Sequence, residues 1–286
     1  MIENLRITVL VENTARTAGL LAEHGLAFWI EADGHVLLFD TGQSHVLTHN
    51  ARQLDVPLDE VETVVLSHGH FDHTGGLKDL LGRGRPKHVY LHPDAFAARY
   101  AKERKPPHRA IGIGDLDEDT LRRLAGRVTW TDRPTELAEG IHVTGTIPRR
   151  HELEDVGGPF FLDDACTVPD PIRDDQALYI ETAAGLVVVL GCAHSGVINT
   201  LDYVAELTGR QQIHAVLGGM HLVRATTDRL EATLDALHRY GVKWVGTAHC
   251  TGLRATTYLW HQMPKACFEC AVGAVFSTGN GTEKVA

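Results

Sequence analysis

Twelve residues, Leu66 to Leu77 (LSHGHFDHTGGL), place His68, His70, Asp72 and His73 within six positions. In an extended chain, side chains two residues apart project the same way, so His68 and His70 can close on one cation while Gly69 lets the backbone turn between them. Asp72 and His73 then face a second position. Adjacent sites built from imidazole and carboxylate suit zinc, or iron or manganese, and such pairs activate water for attack on a carbonyl or phosphoryl centre. Asp72 can both ligate and orient that water, accepting its proton.

One loop supplies too few ligands for two ions, so others must arrive from distant segments. VVVLGCAHSG, AVLGGMHL and WVGTAHCTG put His194, His221 and His249 each just after an apolar strand, where an α/β layer gathers its functional residues. Cys192 precedes His194 by two residues, and its thiol can ligate zinc or iron or simply fill a small buried space. Arg149 and Arg150, with Arg109 or Lys105 from KPPHRAIGIG, could clamp a substrate phosphate or carboxylate, although each taken alone reads as solvated charge. Most other histidines, among them His24, His45, His88, His108 and His238, stand alone and read as surface or hydrogen-bonded residues.

The elements that must position these groups alternate along the chain. RITVLVEN, GLAFWIEA, HVLLFDTG and VETVVLSHGH read as strands, with a tight turn at ADG and a helix in SHVLTHNARQLDV. A short helix at LKDLL, a strand at KHVYLHP and a helix at DAFAARYAKER capped by Asp94 follow. KPPHRAIGIG reads as a mobile surface segment. The second half offers strands at RVTWTD, IHVTGTIP, ALYIETAAGLVVVLGCAH, IHAVLGGMH and KWVGTAHC, with helices at GVINTLDYVAELTG and TDRLEATLDALHRYG. Leu186 to Leu190 is wholly apolar, as a strand covered on both faces requires. Two mixed sheets packed face to face with helices outside are expected, an α/β (α+β) arrangement, with residues 149–175 looping over one edge.

The 286 residues, 43% hydrophobic, suffice for one large core, and one domain over 1–286 is expected. A net charge of -10 offers no basic stripe for nucleic acid or an anionic membrane. The N-terminus has no basic-then-apolar leader and no apolar run approaches a membrane span, which points to the cytoplasm. Five scattered cysteines do not make a disulfide framework, and Cys267 and Cys270 read as ordinary thiols.

SHGHFDHTGGL matches the His-x-His-x-Asp-His signature of the metallo-β-lactamase superfamily, and LLFDTG, with Asp40, matches its supporting acidic turn. EHGLAFWIEADGHVLLFDTG, TGTIPR, GCAHSGVINTL, LGGMHL and AHCTG extend the resemblance over nearly the whole chain, toward the subgroup called dihydropterin phosphoribosyl-aminobenzene synthase-like or dihydropteroate-synthase-like. The resemblance implies an αββα sandwich with a dinuclear site where the sheets meet. His68 and His70 correspond to the first metal position, and Asp72, His73 and His249 to the second. Cys192 stands where many members carry a bridging aspartate. The remaining histidine of the pattern has no direct counterpart: His194 is favoured as the third ligand of the first position over His151, and His221 is left as ligand or substrate contact.

Three functions follow from this reading. The first is a metal-dependent hydrolase of a small ester, lactone, amide or phosphoester, holding two divalent ions, zinc foremost, with iron or manganese as alternatives. The second, from the subgroup, is a synthase-like enzyme joining a pterin or aminobenzoate-type substrate to a phosphoribosyl donor. The third is an iron-binding redox or sensor protein, for which Cys192 and Cys250 would supply softer ligands.

Overall fold

The computed structural model describes residues 1–279 and 282–285. Strand Gly185–Leu190 shows how the layers arise. Its side chains alternate: Leu186, Val188 and Leu190 pack outward against helices Val197–Thr208, Thr227–Arg239 and Leu253–Gln262, while Val187 and Val189 point inward to the opposite sheet. Period-two alternation with both faces covered leaves no polar position, which is why the run is wholly apolar. The other sheet is covered on its outer face by Val46 and Leu47 of helix Val46–Gln53 and by Leu77, Leu80 and Leu81 of helix Leu77–Leu81. Between the sheets, Ile7, Phe28, Ile30 and Phe39 meet Val187, Val189, Leu217 and Phe268. The order of layers is helix, sheet, sheet, helix, the expected αββα sandwich.

Among the described residues the first sheet has eight strands, in the spatial order Thr282–Val285, Val275–Gly279, Leu5–Val11, Ala27–Ala32, His35–Phe39, Thr63–Val65, His88–Leu91 and Arg127–Trp130. Its last four strands are parallel. The second has seven: Cys267–Glu269, Trp244–Ala248, Ile213–Gly219, Gly185–Leu190, Leu178–Thr182, Ile141–Val143 and Thr135–Ala138, the first four parallel. Parallel runs send their carboxyl ends to one edge. Asp40 and Ser67 emerge there from the first sheet, and Cys192, His221 and His249 from the second. The ADG turn is a two-residue hairpin in which Asp33 (φ 45°) and Gly34 (φ 86°) both adopt positive φ, as a tight antiparallel connection favours.

The helix expected over DAFAARYAKER does not form. A single 3-10 turn, Pro93–Phe96, gives way to strand Tyr100–Ala101, which pairs with Arg109–Ala110 and Phe160–Phe161 in a small third sheet. Asp94 is not a side-chain cap; its N–H donates to His92 Nδ1 (3.0 Å). The reason is tertiary. Arg99 must turn inward, where its guanidinium forks onto the Asp174 carboxylate (2.9 and 2.5 Å), with Asp170 3.1 Å from Nε. All three side chains are almost wholly buried. Asp174 also accepts the Gly69 N–H (2.7 Å), so this ion pair ties the long 149–175 segment to the turn between His68 and His70. Gly69 itself has no alternative, since a Cβ there would lie 2.0 Å from the Ala95 carbonyl oxygen.

Removing one member of a buried ion pair strands the other charge. Asp174→Ala should therefore lower the unfolding free energy by about 3–5 kcal/mol, read from urea denaturation. An unchanged midpoint would show that Arg99 finds compensation elsewhere.

Candidate metal centre

Asp40 follows strand His35–Phe39 with φ 62° and is completely buried. One carboxylate oxygen accepts the Ser67 N–H (2.7 Å), and the other accepts the Ser67 hydroxyl (2.7 Å) and His73 Nδ1 (2.7 Å). Ser67 has given its only proton to Asp40, so its oxygen accepts from His68 Nδ1 (2.9 Å). Gly191 is the other glycine that this geometry demands, because a Cβ there would come within 2.0 Å of Ser67 Oγ.

Each remaining ring is set in the same manner. His194 Nδ1 donates to the Val156 carbonyl (2.8 Å), and His249 Nδ1 to Asn13 Oδ1 (2.9 Å), which also accepts the Gly25 N–H. In His68, His194 and His249, then, the proton is on Nδ1 and Nε2 offers a lone pair inward, while His73 gives its Nδ1 proton to Asp40 and turns Nε2 to the same side. His68 Nε2 lies 2.9 Å from His70 Nδ1, and His73 Nε2 lies 3.2 Å from Cys192 Sγ. Nε2 of His194 and Nε2 of His249 are buried with no hydrogen-bond donor, and the latter faces Asp72 Oδ2 at 3.2 Å, acceptor against acceptor. Buried acceptors arranged this way lack a partner until a cation stands between them. Two donor sets that could hold one share the Cys192 sulfur: His68, Cys192 and His194, with His70 alongside; and His73, Cys192 and His249, with Asp72 alongside.

The electrostatics agree. Burial, reinforced by neighbouring positive groups, pushes His70 down to about 3 and holds His68 and His194 well below the ordinary imidazole range, so these rings are neutral, the form a metal ligand takes. Burial alone would lower His73, but Asp40 and Asp72 push it up to about 9, marking a place where the protein demands positive charge. Burial would also raise Asp72, yet the positive charge of His73 and the hydrogen bond from His24 keep its carboxyl well below the usual range. Burial pushes the Cys192 thiol up.

The other nominated residues are distributed around this cluster. The His221 ring stands 4.4 Å from that of His194, and its ligand atom groups with Cys192 and Cys250. Arg149 spends its guanidinium on the carbonyls of His194 (2.7 Å), Pro171 (2.6 Å) and Ile172 (3.2 Å). Arg150 pairs with Glu206 at the surface (2.7 Å). Arg109 is exposed, beside Glu103 and over the Phe71 ring. His151 Nδ1 accepts from the Leu153 N–H (3.3 Å), and Phe160, from the same long segment, meets the His194 and His221 rings edge-on and lies tilted against His70. His24, set aside as an isolated histidine, places Nε2 3.1 Å from Asp72 Oδ2. It comes from the start of a strand rather than the end of one, and no spacing links it to the loop; only the docking of its turn, with the Leu26 N–H on the Asp72 carbonyl (3.2 Å), reveals it.

Comparison with known proteins places this geometry. The sequence pattern of the metallo-beta-lactamase superfamily matches residues 21–153. The 7,8-dihydropterin-6-methyl-4-(beta-D-ribofuranosyl)-aminobenzene-5'-phosphate synthase of Methanocaldococcus jannaschii is 30% identical over 266 residues, covering 89% of this chain and 90% of that one. An uncharacterized protein of the same organism is 34% identical over 258 residues, covering 88% and 93%. The crystal structure of Tm1679, a metal-dependent hydrolase of the beta-lactamase superfamily, superposes with a TM-score of 0.82 at 31% identity over 96% of this chain and 100% of that one. No helix among the described residues is long and apolar enough to cross a membrane. With identity near one third sustained over almost its full length, and the histidine loop at the meeting edge of two sheets, the chain belongs to the metallo-beta-lactamase superfamily.

Proposed function

We propose that the protein is a metal-dependent hydrolase holding two divalent ions, zinc foremost, and acting on a small ester, lactone, amide or phosphoester. The observation that carries this reading is the inward lone pairs of His68, His194 and His249, each left without a proton because Nδ1 is committed outward, with His73 Nε2 turned to the same place. His68, His70 and His194 would hold one ion, Asp72, His73 and His249 the other, and Cys192 faces both. When bound, such ions acidify water to a nucleophile at neutral pH and neutralise charge developing on the substrate oxygen. The chain's own contribution is orientation. Asp40 and Ser67 hold His73 and His68, while Asp72, kept ionised beside His73 and His24, would orient the attacking water and take its proton. Phe160 and the buried 149–175 contacts exclude bulk solvent beside His70 and His194.

A second reading is synthase-like: a pterin or aminobenzoate-type substrate joined to a phosphoribosyl donor. The likeness to the M. jannaschii synthase favours it, as does a cavity of about 540 Å³ bordered by His249, Asn13, Thr256, Thr257 and Trp260, large enough for a bicyclic ring to lie against the indole.

Metal analysis of protein purified without added metal should find two equivalents per chain. His68→Ala and His70→Ala should lose metal and activity together, and Cys267→Ser should keep both; full activity in metal-depleted His70→Ala protein would sink the mechanism. Cys192→Ala should weaken retention at both positions, because one sulfur serves both donor sets, whereas intact stoichiometry and affinity would make Cys192 a packing residue. Product analysis by mass spectrometry over ester, lactone and phosphoester substrates, alongside pterin and aminobenzoate mixtures, separates the readings: water added to a cleaved bond supports the hydrolase, and a condensed product the synthase.

A further inference from the structure

Three imidazole nitrogens converge on a single oxygen, Asp72 Oδ2: His24 Nε2 at 3.1 Å, His249 Nε2 at 3.2 Å and His73 Nε2 at 3.9 Å. His73 and His249 belong to the set that the sequence marks out. His24 does not. It arrives on the turn before strand Ala27–Ala32, and its side chain is 56% exposed, whereas the other rings of the cluster are buried. Its ring nevertheless lies against that of His249, with centroids 4.7 Å apart and planes tilted by 36°.

The turn is held in place independently of that contact. Leu26 N–H donates to the Asp72 carbonyl, Gly25 N–H to Asn13 Oδ1, and a Cβ on Gly25 would come within 2.8 Å of the same Asp72 oxygen. His24 is thus presented to Asp72 by backbone contacts around it. Its Nε2, Asp72 Oδ2 and His249 Nε2 all lie within 4.8 Å of one another. With metal–ligand distances of about 2.0–2.1 Å, adjacent donors around a tetrahedral zinc ion stand roughly 3.3 Å apart. Both imidazole-to-carboxylate separations approach that edge length.

We infer that His24 is a protein ligand of the second ion, completing a set with Asp72 and His249 that closes the metal position from its solvent side. The inference rests on the dinuclear reading above. It assigns the 24–26 turn a binding role: the ion position is shielded by a residue from the first sheet's antiparallel half, remote in sequence from the histidine loop. The competing role is a hydrogen bond alone, in which His24 Nε2–H merely supports the Asp72 carboxylate.

Equilibrium titration of metal-free protein with zinc against a competing chelator, and with cobalt(II) followed by its visible d–d bands, separates these roles. Wild-type protein should take up two ions. In His24→Ala the first ion should bind as before, while the second weakens by more than about 100-fold, beyond the roughly 10–100-fold that loss of a supporting contact costs, and the second cobalt spectrum should change. His24→Gln is the decisive variant, because its amide N–H can still donate to Asp72. It should fail as alanine does; restoration of second-ion affinity by glutamine would reduce His24 to a hydrogen-bond partner and overturn the assignment. Unchanged affinity in both variants would also overturn it, with the dinuclear reading left standing. Fewer than two ions in the wild type would overturn both. First-ion binding in each variant reports that the fold is intact.

Discussion

The buried carboxylate of Asp40 is the contact on which the histidine-rich edge depends. Three hydrogen bonds of 2.7 Å converge on it, from the Ser67 backbone, the Ser67 hydroxyl and His73. A carboxylate out of water is costly unless its lone pairs are satisfied. Here the satisfaction also sets tautomers: His73 must protonate Nδ1 to serve Asp40, and Ser67, having donated, must accept from His68. The inward Nε2 atoms of His68 and His73 are therefore a consequence of how one buried charge is solvated, while the Val156 carbonyl and Asn13 set His194 and His249. Gly191 belongs to the same requirement, since the second sheet can approach Ser67 only without a side chain at that position.

The backbone is strained where the two sheets meet. Asp40 (φ 62°), Ala193 (φ 53°), His221 (φ 44°) and His249 (φ 50°) adopt positive φ without being glycine. Such conformations cost about 1–3 kcal/mol each and persist only where the surroundings over-determine them. The surroundings here are parallel strands locked on both faces by apolar side chains, whose packing offsets the strain. Rigid strands thus aim Cys192, His194, His221 and His249 at a loop contributed by the other sheet. The long 149–175 segment closes the arrangement from outside, through Arg149 on the His194 carbonyl, the Val156 carbonyl on His194 and Asp174 on Gly69.

Much of the layering was legible in the chain because burial imposes a period. The apolar run at Leu186 to Leu190 announced a strand covered on both sides, and the flanking helical patterns supplied the cover. The failure at DAFAARYAKER has an equally physical source. Local propensity favoured a helix, but the inward pull on Arg99 from Asp174 and Asp170, more than seventy residues away, redirects the backbone, and nothing local records it. Strand Val275–Gly279 shows the same limit: it takes its place beside Leu5–Val11, and that pairing joins the two ends of the chain.

For the candidate metal centre, the division lies between spacing and convergence. His68, His70, Asp72 and His73 stand out as potential ligands because groups close in sequence must be close in space, and Asp40, His194 and His249 because they end apolar strands that share an edge. What tertiary structure alone decided is which remote side chains are brought against them. His24 reads as an isolated histidine until its turn docks on the Asp72 carbonyl, and Arg149 reads as a free cation until three carbonyls claim it. A sequence carries the chemistry of each group, but the partner that saturates a donor or an acceptor is chosen by packing across the whole chain.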